Sequence, residues 1–382
     1  MKICRIGTYP YEATPGAGLF PYFLTRYIPE PCLYITYWLP GARLEPPEHA
    51  EVTAIKVNNV ATTGAMRTIF LAGGKEGDWR EKLSAMGRLI SKVREIPFYL
   101  KAVPALLRFK PDLICVHFLK NSILGLIGKY ALGARFVYYS HNVSEPMLLR
   151  HLAPLRWVLR QADLIYAVSP GLADEMARVI PAEKIRVTST GVDLGVFREQ
   201  NRPRRKRLLA IGRLKWKKGY RYLLEAMPDI LAQHPDYVLT IVGDGEERAA
   251  IEAQVQALGL QDHVELLGQV PQDEIVTLLN ESRLFVMASL AEGLPKALLE
   301  ALACGTPVVV TRACHATDIV QGAGLEVPSA DSRALAGAVN RLLSDQDLWQ
   351  QCAANARSRV LGYSWEAIAA QNYREYQRLM AR

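Results

Sequence analysis

Short continuous apolar runs, many of them rich in Val and Ile, recur along the chain and alternate with stretches of helical period. Continuous β-branched runs predict strands buried on both faces, and a 3.6-residue apolar period predicts amphipathic helices. In the first half the pattern predicts strands over Lys2–Gly7, Val52–Val57, Thr68–Ala72, Leu113–Phe118, Arg135–Tyr139, Leu164–Val168 and Ile185–Thr188. Helices are expected over Leu19–Ile28 and Asn121–Leu132, and Ser169 stands where it can cap the helix of SPGLADEMARVI. The series restarts with strands at Arg207–Ile211, Tyr237–Val242, Leu284–Met287 and Pro307–Thr311, a turn and strand within Leu258–Leu267, and a further segment at Glu326–Pro328. This β/α alternation implies parallel sheets, with ligands at the C-terminal strand ends.

Between the two series, after Phe197, lies REQNRPRRKR, polar and basic with one proline, as a linker would be. A βαβ series that restarts after a linker predicts an α/β chain of two Rossmann-like parallel-sheet domains facing across a cleft. Residues 1–198 form the first and 199–363 the second. Residues 364–382, SWEAIAAQNYREYQRLMAR, form an amphipathic last helix.

The stretch SLAEGLPKALLEALACGTPVVVT, Ser289–Thr311, holds the densest candidate chemistry. A Gly-containing turn leads into a helix expected over Pro295–Cys304, with Pro at its first position and Gly305 past its end. The first amides of such a helix are unpaired and its dipole is positive there, a combination suited to an anion. Glu292 stands before this helix and Glu300 eight residues later, about 12 Å further at ~1.5 Å per residue. Two carboxylates so placed could hold the two ends of a ligand whose diphosphate lies between them. On spacing alone, a surface Glu and a helix Glu without a ligand remain the simpler alternative. At the other end of the chain, Gly16 and Gly18 follow the first strand and allow close backbone approach to a ligand, although neither GxGxxG nor GxxxxGK[ST] is present.

EGLPKALLEALACGTPVV resembles the E-x7-E signature of the retaining glycosyltransferase family 4, and GRLKWKKG resembles that family's G-R-L-x(3)-K-G element. The resemblance covers roughly Pro15 to the end and implies the GT-B fold, with an acceptor-binding first domain, a nucleotide-sugar-binding second domain, and a last helix that crosses back to the first. It implies that Arg213 and Lys218 reach the donor diphosphate, that Gly293, Leu294, Pro295, Lys296 and Ala297 form its helix-start cradle, and that Glu300 holds the ribose. Glu292 would face the donor sugar, and the Gly268–Pro271 segment, including Val270, would pack on the base. Gly16 and Gly18 match the family's Gly-rich loop, with Ala17 where a second adjacent Gly is common. His141, in a strand-end His-Asn turn, matches the position that contacts the sugar near the reacting carbon. His117 stands at another strand end and falls on the acceptor side. Ala313–Ala316 replace a Gly-rich turn near the sugar.

Composition narrows the picture. The chain has 382 residues, half of them apolar and 22% charged, a globular mix. Its six cysteines form no CxxC or Cys/His cluster, which points away from zinc and toward a reduced, cytoplasmic setting. No apolar stretch approaches the roughly 20 residues of a membrane span, and the N-terminal run is too short for a signal peptide. The net charge of +8 suggests an anionic partner. Basic residues interleave with apolar ones over Arg80–Lys110 and over MLLRHLAPLRWVLR, Met147–Arg160, a pattern suited to an anionic membrane surface or to core-facing helices with a solvated back. No aromatic-basic module for nucleic acid is present.

These readings converge on transfer of a sugar from a nucleotide-diphosphate sugar to a hydroxyl of a glycan or lipid-linked acceptor in envelope polysaccharide synthesis. The protein would be cytoplasmic, extending to the inner face of the membrane. Neither a cofactor nor a metal is expected, there being two cations, a helix start and no DxD motif, and a uridine-diphosphate donor is favoured over a guanosine-diphosphate one. Two alternatives stay open: a nucleotide-sugar epimerase of the same fold, and a non-catalytic nucleotide-sugar-binding partner.

Overall fold

The computed structural model describes residues 1–7, 19–38, 48–56, 98–141, 145–292, 294–314 and 316–381. Gly16, Gly18 and Gly293, the strand expected at Thr68–Ala72 and residues 80–97 of the first basic run lie outside the described residues.

The chain divides into two units, Met1–Val187 with Ala369–Arg382, and Thr188–Ile368. The first is built on a seven-stranded sheet in the order β3-β2-β1-β4-β5-β6-β7. Its strands are β1 (Ile3–Gly7), β2 (Cys32–Trp38), β3 (Ala50–Lys56), β4 (Leu113–Val116), β5 (Arg135–Ser140), β6 (Leu164–Ala167) and β7 (Ile185–Val187). Every pairing is parallel; Ile6, for instance, lies between Ile35 and Val116. The order reverses between β1 and β4, which opens a crevice at their C-terminal ends. Strand β2 was not foreseen from the sequence. Its CLYITYW run continues the sheet beyond β1.

The sheet's two faces differ in chemistry. One carries Cys4, Ile6, Ile114, Val116, Phe136 and Tyr138 into an apolar core with Phe98, Leu106, Leu124 and Met176. The helix Ser122–Leu132 lies close on this face because it presents Gly128, where a Cβ would fall 1.7 Å from Cδ1 of Ile114. The other face buries Arg5, Cys115, His117, Tyr139 and Tyr166, and the C-terminal helix covers it with Asn372 and Tyr376.

The second unit has six parallel strands in the order β10-β9-β8-β11-β12-β13. They are β8 (Arg205–Ile211), β9 (Val238–Val242), β10 (Val264–Gly268), β11 (Ser282–Met287), β12 (Val308–Thr311) and β13 (Gly324–Val327). Here the reversal falls between β8 and β11. Both faces are apolar: Leu208, Leu239, Ile241, Leu284 and Val286 pack on Leu223, Leu224 and Met227, while Leu209, Phe285, Val308 and Val310 pack on Leu298, Leu299 and Leu302.

The division at Val187–Thr188 precedes the basic run that looked like a linker, and packing explains why. Val192 and Phe197 are already buried in the second core. The Val192 amide donates to the Tyr363 carbonyl at 2.9 Å, and the Trp365 amide donates to the Val192 carbonyl at 3.2 Å. Within the basic run, the Arg204 guanidinium donates to the carbonyls of Leu279, Ser282, Cys304 and Gly305 and to Oγ1 of Thr306. A side chain so engaged belongs to the domain rather than to a solvated tether.

Candidate functional site

In the second unit the candidate chemistry gathers at the β8–β11 reversal. After β8 the chain runs through Gly212 and Arg213 to a short turn, Trp216–Lys218, closed by Gly219 in the left-handed region at φ 65°. Only glycine suits this position, because a Cβ would fall 2.0 Å from the Ala288 carbonyl oxygen. The tight approach brings Lys218 beside the loop that follows β11, and the Leu290 amide ties that loop back to the Lys217 carbonyl at 2.7 Å. Lys218 Nζ lies 3.0 Å from Oε1 of Glu292, and Lys217 Nζ lies 3.8 Å from the same oxygen. Lys218 and Glu292 are both largely shielded, their side chains 16% and 12% exposed, so the pair interacts in a medium that screens poorly. The Glu292 amide donates to the Ala313 carbonyl at 3.1 Å, and Oγ1 of Thr311 donates to the Ser289 carbonyl at 2.5 Å.

Two polar atoms here lack hydrogen bonds. Oγ of Ser289 is buried with no partner, and Oε1 of Glu292 is buried with ion-pair contacts but no aligned hydrogen bond. Buried polar atoms without partners are uncommon, and a polar ligand is one way to satisfy them.

The helix after this loop spans Lys296–Ala303, one residue later than expected. Pro295 occupies the cap position at φ −73°, ψ 128°, and no side chain caps the helix start. The first amides, those of Lys296 and Ala297, are thus left for another acceptor. Glu300 is buried and pairs with Lys296 at 3.2 Å, one turn away. Leu294, Ala297 and Val270 pack on a common apolar cluster. Arg213 is exposed and forms no ion pair with a described residue. Lys217 was missed from sequence, although the KWKK run was its signal.

In the first unit the structure joins His117 and His141. His117 follows β4, its amide donating to the Ile6 carbonyl at 3.0 Å, and His141 follows β5. Their rings meet edge to edge, with His117 Nδ1 3.1 Å from His141 Nε2. The His117 ring stacks on Tyr139 at 4.5 Å, and Phe20 presents its ring to both histidines. Burial pushes His141 down to about 4. His117 lies well below its ordinary value, through burial first and then the charges of His141 and Arg5. Both rings are therefore neutral near pH 7.

The turn carrying His141 is anchored by Glu145, which the sequence did not single out. Its carboxylate accepts from Oγ of Ser140 at 2.6 Å, from the Tyr138 hydroxyl at 3.0 Å and from the His141 amide. Burial raises the carboxyl's pKa despite these donors.

Two family comparisons cover most of the chain. Residues 196–359 match the glycosyl transferases group 1, and residues 72–196 match Glycosyltransferase Family 4. The chain belongs to the family 4, group 1 glycosyltransferases. This family 4 chain has the GT-B fold. It overlays a sucrose-phosphate synthase from Thermosynechococcus elongatus with a TM-score of 0.75 and 22% identity, covering 100% of this chain and 99% of the other. Anabaena HepE in complex with UDP overlays with a TM-score of 0.74 and 19% identity, covering 99% of this chain and 100% of HepE. Among relatives by sequence, the amylovoran biosynthesis glycosyltransferase AmsK of Erwinia amylovora is 30% identical over 253 residues, 61% of this chain and 62% of AmsK. The family 4 chain spans about three fifths of the length of the first curated relatives it matches.

Proposed function

We propose that the protein transfers a sugar from a nucleoside-diphosphate sugar to a hydroxyl of a glycan acceptor, with retention of anomeric configuration. The observation that carries this reading is the shielded Lys218–Glu292 pair beside the uncapped helix start at Lys296 and Ala297. A departing nucleoside diphosphate gains negative charge as its bond to the sugar breaks. Lys218, Arg213 and the helix amides are the groups suited to receive that charge. Glu300 takes the ribose hydroxyls and Glu292 a hydroxyl of the donor sugar. Leu294, Ala297 and Val270 offer the base an apolar bed. Reaction on one face breaks the bond from C1 to the phosphate oxygen and forms the bond from C1 to the acceptor oxygen. The acceptor's proton passes to the leaving phosphate, so no protein base and no metal is required. The UDP bound to HepE favours a uridine nucleotide, and the naming of AmsK for amylovoran favours an envelope polysaccharide.

The acceptor is read as membrane-borne. The helices Glu145–His151 and Ala153–Arg160 expose Met147, Leu148, Leu152 and Trp157 beside Arg150 and Arg160. Exposed apolar side chains interspersed with arginines suit an anionic bilayer surface. No helix among the described residues is long and apolar enough to cross a membrane.

A donor panel tests the reading. Wild type should be thermally stabilised by, and should hydrolyse, uridine-diphosphate sugars in preference to guanosine-diphosphate sugars, and Lys218→Ala should lose both responses. Absence of a response to every nucleotide sugar would overturn it.

A further inference from the structure

We propose that His117 is a positioning residue: its Nδ1–H donates to Nε2 of His141 and so holds His141 as the tautomer whose Nδ1–H is offered to the ligand. This rests on the glycosyltransferase reading for the ligand's identity, an oxygen of the donor sugar, but not for the tautomer itself.

The direction of the histidine hydrogen bond follows from what surrounds the two rings. A neutral imidazole carries one N–H and one bare nitrogen. Nε2 of His117 is buried and has no partner. If His141 donated, His117 would have to carry its proton on that nitrogen, leaving an orphaned buried N–H in the field of the Arg5 charge. If His117 donates, the same nitrogen is only a bare lone pair. Orphaned buried donors are the rarer and costlier case, and a lone pair suits a neighbouring cation better. With Nε2 of His141 accepting, its proton must sit on Nδ1, for which no described residue supplies an acceptor. His141 is then a neutral donor and not a base, in keeping with a mechanism in which the leaving phosphate takes the proton.

The surroundings leave the pair no other proton to take. Arg5 on β1, Cys115 on β4, Tyr139 on β5, Tyr166 on β6 and Tyr376 of the C-terminal helix form the layer that packs on His117, with Cys32 of β2 beside Arg5. Burial pushes every one of these thiols and phenols upward, so all are neutral at pH 7 and Arg5 is the one charge in the layer. Phe20 brings no ionisable group, and Glu145 meets the backbone of His141. His117 is fixed in turn by its stack on Tyr139, whose hydroxyl meets those of Tyr376 and Asn372's amide oxygen.

The experiment is ring 15N NMR of the full chain labelled at its 7 histidines, with His141→Ala to identify the signal. The wild-type His141 ring should show a protonated Nδ1 and a bare Nε2, and should not titrate between pH 8 and pH 5. In His117→Phe, which keeps an aromatic ring on Tyr139 but cannot donate, His141 should shift toward the Nε2–H tautomer. With donor and acceptor, this variant should lose about tenfold in kcat with little change in KM, a split that a general loss of structure would not produce. An Nε2–H tautomer in the wild-type spectrum would overturn the proposal whether or not the variant folds. So would an unchanged tautomer in His117→Phe. The spectra need no turnover, so inactivity toward nucleotide sugars alongside the expected tautomer would fault the functional reading and leave the positioning role standing.

Discussion

Lys218 and Glu292 form a pair that neither can leave without consequence. Their side chains are 16% and 12% exposed, so removing one strands the other's charge away from water. Lys218→Met should destabilise the second unit by about 1–3 kcal/mol, and adding Glu292→Gln should recover part of that loss. A double-mutant cycle by urea unfolding should return a coupling of about 1 kcal/mol or more, whereas strictly additive losses would show that Lys217 or solvent already satisfies the carboxylate. Gly219→Ala meets a different obstacle: left-handed backbone at φ 65° and a Cβ 2.0 Å from the Ala288 carbonyl oxygen. It should destabilise by about 2–4 kcal/mol and lower the unit's melting midpoint by about 5–10 °C. The histidines carry a pH signature. The folded-state pKa of His141, about 4, lies below the ordinary 6.5, so between these values the unfolded chain binds more protons. Stability should therefore fall as pH drops below 6.5, by about 2 kcal/mol at pH 5 for His141, and His141→Asn should flatten that slope. The carboxyl of Glu145, raised above its ordinary 4.5, acts oppositely: folded, it takes up its proton before the unfolded chain does, so its contribution grows as pH falls toward 4.5. Glu292 and Glu300 stood out in the sequence because they flank one Gly-containing turn and helix start within nine contiguous residues, and Lys218 because it belongs to the compact GRLKWKKG run. Arg5 and Tyr376 did not, because 371 positions separate them and only the fold brings them to 3.3 Å.

Among the elements, strands buried on both faces were the most legible. Leu113–Val116, Leu164–Ala167 and Val308–Thr311 are wholly buried, and each appeared as an apolar run. Ser169 announced its helix and does cap it, accepting from the Leu172 amide at 3.3 Å. Strand β2 escaped because CLYITYW mixes aromatic, β-branched and polar residues in a pattern neither continuous nor cleanly alternating. Glu145 escaped because a lone Glu looks like a solvated helix residue until Ser140 and Tyr138 are seen to converge on it. The paired helices Glu145–His151 and Ala153–Arg160 carry the membrane prediction. Met147 is 61% and Trp157 55% exposed, and Arg150 and Arg160 are exposed on the same two helices. Wild type should co-sediment with vesicles containing anionic lipid and not with neutral ones. Met147→Ser with Trp157→Ala should weaken that binding about tenfold or more, since each apolar side chain withdrawn from water contributes about 1.5–3 kcal/mol at full burial. Equal binding by the variant would assign these side chains to another role.

At the scale of the whole molecule, the two units differ in self-sufficiency. The second is continuous in sequence from Thr188 to Ile368 and covers both faces of its sheet with its own helices. Trp365, near its end, packs over Gly191 near its beginning, where a Cβ would fall 2.5 Å from the indole. The first unit includes Ala369–Arg382, from the far end of the sequence. Without that segment, Arg5, Tyr139 and Cys115 lose the Tyr376 hydroxyl, and Tyr139 also loses Asn372. A guanidinium and a row of aromatic rings would then face water from a sheet surface shaped to be covered. Residues 188–368 expressed alone should melt cooperatively. If the proposed donor site is right, they should also bind UDP in a manner lost on Lys218→Ala, because Lys218, Glu292, Glu300 and the helix start all belong to this unit. Residues 1–187 alone should bind an apolar dye and fail to melt cooperatively, and co-expression with residues 369–382 should reverse both defects. A well-folded 1–187 fragment would mean that the C-terminal helix merely rests on a face that is stable without it. It would also remove Tyr376 from the set of groups that hold Tyr139, and through it His117, in place.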